Sequence, residues 1–336
     1  MESDAQHESP TPGVAPSAPR GEALTSGARG TDPLAMPTAR DTVVLVVALA
    51  SVSFSGPLMA AAAAPALAIA FWRNGLGAAA TAAAALTRQR AELRRLALRP
   101  ALAAAAAGIA LAVHFSTWVP SVTMTTVAAA TALVSTQSVF VPLIAVAMGR
   151  RMPRAVWLGI GVAVIGAALI TGADIGLSAR ALAGDGLAVI GGFAAAVYVT
   201  IGERVRASMS TLSYTTICYS VAAAILLVVC LVGGVPLTGY SGNAWLKLAL
   251  IAITAQLLGH SLINVALRTT SATVVSLVLL FETPGAAIVA FGWLGQRPPW
   301  TAVPGIVALL AGLVVVTRAR GRGVEAARRG AGGDAR

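Results

Sequence analysis

The chain has 336 residues, of which 57% are hydrophobic and only 11% charged, with a formal net charge of +11. A soluble domain carries about a quarter of its residues as Asp, Glu, Lys or Arg, and the mean hydropathy here is +0.80. These proportions argue against a soluble enzyme, a disordered chain and a collagen-like chain.

In chain order, residues 1–40 come first, with six prolines and four glycines among many Ser, Thr and Ala. No helical period runs through them, so they read as a disordered tail. A basic segment followed directly by an apolar core is missing, so the tail is not a signal peptide. Ten apolar stretches follow, at 42–60, 64–86, 101–119, 126–148, 155–172, 185–203, 212–232, 245–266, 271–293 and 300–317. Each is close to the ~20 residues that a helix needs to cross about 30 Å of hydrocarbon. Lipid leaves no partner for an unpaired backbone group, and period-two alternation is absent, so the spans are helices rather than barrel strands. The expected fold is an all-α membrane protein of ten transmembrane helices, ending in a basic tail at 318–336.

Cysteine adds little. Cys218 and Cys230 fall in one apolar run, about 18 Å apart on a helix, too far for a disulfide. They read as buried small hydrophobes. No metal-ligand spacing occurs, and no cofactor is expected.

With the N-terminus inside, 20 of the 24 Lys and Arg residues fall on the cytoplasmic side. They include the run Arg88, Arg90, Arg94, Arg95 and Arg99, and six arginines of the C-terminal tail. Only Arg180, Lys247 and Arg297 lie outside, and Arg73 lies within a span. This asymmetry sets the expected orientation: a multi-pass protein of the cytoplasmic membrane with both termini inside. The Arg88–Arg99 run reads as a topology-setting loop beside the lipid bilayer. No aromatic interleaving there suggests nucleic acid.

The sequence also matches itself at an offset of 146, where residues 108–171 align without gaps on 254–317 with 12 identities. None of the identities is an alanine. His114 falls on His260 and Thr123 on Thr269; Gly149, Arg151 and Pro153 fall on Gly295, Arg297 and Pro299. The two halves are then 41–172 and 185–317. A unit of five spans is odd-numbered, so two units in one chain must lie in opposite orientation. Inverted repeats are a recurrent plan of secondary transporters, with the substrate site near the midplane.

Several local motifs, taken in order, resemble the EamA branch of the drug/metabolite transporter superfamily. They are Phe71-Trp72-Arg73 in span 2, Thr123-Met124-Thr125-Thr126-Val127-Ala128 before span 4, Arg268-Thr269-Thr270-Ser271-Ala272-Thr273 before span 9, and Glu282-Thr283-Pro284 within it. The resemblance covers about 41–318 and implies a carrier, usually an exporter of amino acids, other small metabolites or drugs. One departure stands out. Relatives often have Gly-Glu-Arg after spans 4 and 9, where this chain has Gly149-Arg150-Arg151 and Gly295-Gln296-Arg297.

Ionisable groups within spans are costly and tend to face a bundle interior or a cavity. Arg73, near the midplane of span 2, is a candidate clamp for a carboxylate or phosphate on the substrate, or a structural partner of Glu282. Glu282 stands beside Thr283-Pro284, where proline strips a backbone donor, and is a candidate cation or proton site. His114 and His260 are candidate proton carriers, against the commoner reading of neutral histidines bonded to carbonyls. Polar segments at Ser51–Ser55 and Ser135–Ser138 put Ser55 and Gln137 at a similar depth, with Thr283 beside Glu282 and Trp72 and Trp118 as candidate cavity walls. Pro57, Pro142 and Pro284 mark expected kinks.

The sequence thus favours a secondary-active carrier of a small-molecule substrate. A membrane-embedded lipid- or isoprenoid-modifying enzyme would need clustered catalytic groups, and no span holds two acids. A non-transporting membrane sensor is the third reading, and a homodimer is compatible with all three.

Overall fold

The computed structural model describes residues 35–172 and 178–297, with scattered positions between 300 and 315. Among these residues the regular structure is helical throughout. Nine long helices run in order: α1 (Ala39–Ala61), α2 (Ala66–Arg88), α3 (Leu98–Met124), α4 (Val127–Ala147), α5 (Arg154–Gly172), α6 (Ala179–Val205), α7 (Thr211–Val232), α8 (Gly242–Ala266) and α9 (Ala272–Leu294). A short helix, Arg90–Arg95, lies in the arginine-rich loop. Seven of the nine are long and apolar enough to cross a membrane. α2 is built on alanine and interrupted by Arg73 and Asn74, and α5 is apolar over a shorter stretch, Arg154–Gly166. Most of the tenth expected span, 300–317, lies outside the described residues, as do the tails 1–34 and 318–336.

Small hydroxyl residues start many of these helices. The side chains of Thr38, Thr126, Ser178, Ser210, Ser241 and Ser271 each accept a backbone N–H from the first turn, at about 1 kcal/mol per cap. One cap also explains where an expected end was short: α6 begins at Ala179, behind its Ser178 cap, rather than at 185. α3 runs from Leu98 through Pro120 to Met124, with Arg99 in its first turn and no side-chain cap at Ala97.

Helix packing relies on small residues, as expected where lipid offers no hydrophobic contrast. At Gly108 of α3, an added Cβ would meet the Cys218 carbonyl of α7 at 2.6 Å. At Gly192 of α6 it would meet Thr136 Oγ1 at 2.7 Å and the Val134 carbonyl at 2.8 Å. Large apolar side chains such as Val43, Leu102, Ile190 and Ile288 point outward, which suits a hydrocarbon surround. Cys218 and Cys230 are buried and free.

Four helices are irregular near their middles. α1 breaks at Phe54, α4 at Ser135–Thr136, and α9 tightens to a 3-10 turn at Leu279–Phe281. α8 carries a nine-residue π segment, Ala252–His260, which no sequence signal announced. The irregular stretches of α1 and α9 lie three to five residues upstream of Pro57 and Pro284, about where a proline ring crowds a carbonyl. Pro142 does not mark the break in α4. It sits inside the second helical segment, and the break lies upstream, where Ser138 and Val139 bond three residues back, to Ser135 and Thr136.

Candidate functional site

The interruptions of α1, α4 and α9 bring polar side chains from six helices to one central cavity. Its wall includes Ser55 of α1, His114 and Trp118 of α3, Gln137 of α4, Tyr198 of α6, His260 of α8 and Glu282 of α9, with Val52, Val134, Val199, Ile263 and Leu279 filling between. The centre of a water molecule can range over about 30 Å³ inside it, room for about two waters. A larger cavity of about 280 Å³ lies between Thr125, Thr126 and Ala128 and the C-terminal end of α9, Ala287 to Arg297. Small side chains dominate its lining. Converging polar groups, not volume, single out the central cavity.

Glu282 is 9% exposed, and no hydrogen-bond donor meets its carboxylate among the described residues. Arg73 is wholly buried and lies outside the cavity wall. Its Nε donates to Gln256 Oε1 at 3.1 Å, its Nη1 to Ser55 Oγ at 3.2 Å, and its Cζ stands 3.9 Å over the Phe115 ring. Gln256 in turn donates to Asn74 Oδ1 at 3.2 Å. The alternative of a direct Arg73–Glu282 ion pair is not realised: the described residues hold none between them within 4.0 Å.

The two repeat-equivalent histidines converge, with ring centroids 6.3 Å apart. His114 Nδ1 lies 2.9 Å from the Gly191 carbonyl, so that nitrogen carries the proton, and its ring stacks on Trp118 at 5.4 Å. His260 meets Phe115 edge-on at 5.3 Å. Of the remaining sequence candidates, Trp72 and Thr283 lie elsewhere. Trp72 Nε1 donates to the Leu237 carbonyl at 2.8 Å and its ring packs on Trp245, one residue step around α2 from Arg73. Thr283 is buried between α4 and α9, its hydroxyl 3.3 Å from Ser135 Oγ.

Sequence reasoning missed Gln256, Asn264, Asn74 and Tyr198. The π segment aims Gln256 at Arg73, and such segments recur at functional sites. Asn264 donates to Tyr198 Oη and, at 2.8 Å, to the His260 carbonyl. A search for amides as well as charges in apolar spans would have found Gln256 and Asn264.

From Asn264 a polar line continues to the end of the bundle that carries the arginine-rich loop. Arg206 is almost fully buried there. Its Nε donates to the Asn264 carbonyl at 3.2 Å, and its other nitrogens to Met209 O and Thr211 Oγ1. Burial pushes its pKa down to about 10, which still leaves a cation at neutral pH. Glu92, from the short loop helix, accepts the Ser210 backbone N–H at 2.7 Å at the start of α7. Burial works against its charge, but hydrogen bonds from Ser210 and Ser213 outweigh burial and hold its pKa below the usual carboxylate value. Arg150 and Glu203 form an ion pair of 3.2 Å at the same end, and Thr269 donates to Asp41 at 2.8 Å.

No curated protein is similar to the chain at a significant level. A solved crystal structure superposes with a TM-score of 0.67 at 16% identity, covering 84% of this chain and 98% of its own; that likeness concerns the fold alone. The EamA-like transporter family matches twice, over residues 42–172 and 182–318. Each match takes in one set of the helices that surround the central cavity. On those two matches the chain belongs to the EamA-like transporter family.

Proposed function

We propose that the protein is a secondary-active carrier that exports a small metabolite, amino acid or drug by alternating access. In this reading ten spans form two inverted five-helix halves in the cytoplasmic membrane, with both termini inside. The family membership supports transport, and the arginine distribution supports the orientation. Export rather than uptake follows the family resemblance. The observation that carries the reading is the central cavity, to which both repeats contribute and on which an unpaired carboxylate opens. A midplane site between repeats is where rocking of one half against the other exposes cargo to each side in turn.

Within this scheme Ser55, Gln137 and Glu282 contact cargo. Glu282 carries the coupling proton, and His114 and His260 are its nearest candidate relays. Arg73 holds α1, α2 and α8 together behind the wall. The test is flux of labelled metabolites in proteoliposomes, with and without a pH gradient. Saturable flux that a pH gradient accelerates is expected, and Glu282→Gln removes the acceleration. Absence of flux across a broad panel, with folded protein, contradicts the reading.

A further inference from the structure

The charge on the cavity wall is of one sign. Glu282 is the carboxylate on that wall, nine-tenths buried and without a donor among the described residues. The nearby guanidinium, Arg73, is sealed off from the wall. Two of its nitrogens are engaged by Gln256 and Ser55, one face of it lies on Phe115, and its third nitrogen, Nη2, is buried without a hydrogen-bond partner among the described residues. Arg73 thus does not line the cavity in this state, and the ionised side chain that a guest there would meet is Glu282. A buried, unpaired carboxylate is costly, and a cation placed against it relieves that cost.

Trp118 and Tyr198 offer aromatic surface and His114 stacks on Trp118, and such rings attract a desolvated cation while accepting a flat apolar body. Trp118 Nε1 is a buried donor without a partner among the described residues, so the same guest can carry an acceptor on that body. We propose that the central cavity seats an organic cation, an amine or quaternary ammonium on a flat apolar body, with its nitrogen against Glu282. The proposal rests on the carrier reading of the site. With room for about two waters in this state, the cavity must widen to admit such a guest, as alternating access requires.

The test uses the purified full chain and three probes that share a phenyl ring and differ in charge: 2-phenylethylamine, phenylalanine and 3-phenylpropionate. Affinities are read by calorimetry at pH 7.5. The amine is expected to bind at least about tenfold tighter than the carboxylate, with the zwitterion between them. Glu282→Gln brings the three to within about twofold, and Glu282→Asp, which keeps the charge, retains the order should the Gln variant fail to fold. Carboxylate binding as tight as amine binding overturns the proposal, as does an unchanged ratio in folded Glu282→Gln, or no amine binding at millimolar concentration. The two readings fail separately: flux of the anionic probe without amine binding overturns the cation seat alone, whereas amine binding without flux of any probe contradicts transport alone.

Discussion

Arg73 shows how an intramembrane charge can be structural in its contacts and still serve a site. Its guanidinium joins α2 to Ser55 at the break of α1 and to Gln256 in the π segment of α8, two of the irregular stretches nearest the cavity. Removing it strands those partners and leaves a void beside Phe115. Arg73→Ala is expected to cost about 2–4 kcal/mol of stability, and Arg73→Lys, which keeps the charge but loses the planar fork and its stacking, about half that. Thermal unfolding of the purified variants checks both. An Arg73→Ala variant as stable as the parent contradicts this account of the contacts. The position of Arg73 in its span made it legible in the sequence as a buried charge. Its partner was not, because Gln256 lies 183 residues away and depth in a span says nothing of which neighbour faces it.

Among the helices, glycine sets how closely α6 can approach the break of α4. Gly192→Ala drives a methyl group into Thr136 Oγ1 and the Val134 carbonyl, whereas an added Cβ at Gly161 of α5 meets nothing within 4 Å among the described residues. The first substitution is expected to cost about 1–3 kcal/mol and the second to be neutral or slightly stabilising; unfolding temperatures of the two variants separate the cases. At the arginine-rich end, Glu92 fixes the loop helix to the start of α7. Its pKa is lower in the folded state than the ordinary 4.5, so its stabilising contribution is present above that value and is lost as pH falls through the lower, folded pKa. Glu92→Gln should therefore unfold at a lower temperature than the parent at pH 7, and the gap should close as pH falls below the ordinary carboxylate value and through the lower, folded one. A gap that persists at low pH contradicts the assignment. Element positions were mostly legible because apolar runs have a length set by the bilayer. The ends of α3 and α6 were not, since Arg99 and Arg180 read as loop although the helices run through them, α6 from a Ser178 cap and α3 without a side-chain cap. The π segment of α8 was equally hidden: it changes the hydrogen-bond register and leaves no trace in composition.

For the molecule as a whole, duplication explains both the frame and the site. The offset of 146 pairs His114 with His260, and the fold brings that pair within 6.3 Å on the cavity. The same offset pairs the break at Ser135–Thr136 with Phe281–Glu282, at the end of the 3-10 turn of α9. Symmetry is broken where function is expected: the carboxylate sits in the second half alone, and the guanidinium in the first. The central claim is that cargo passes through the cavity between the repeats. Its most direct test is exchange of labelled cargo across proteoliposomes by the parent protein and by Ala195→Phe, which fills the cavity from a wall position on α6 without touching a charged group. The account predicts saturable exchange by the parent and its loss in the folded variant. Undiminished exchange by Ala195→Phe would contradict it.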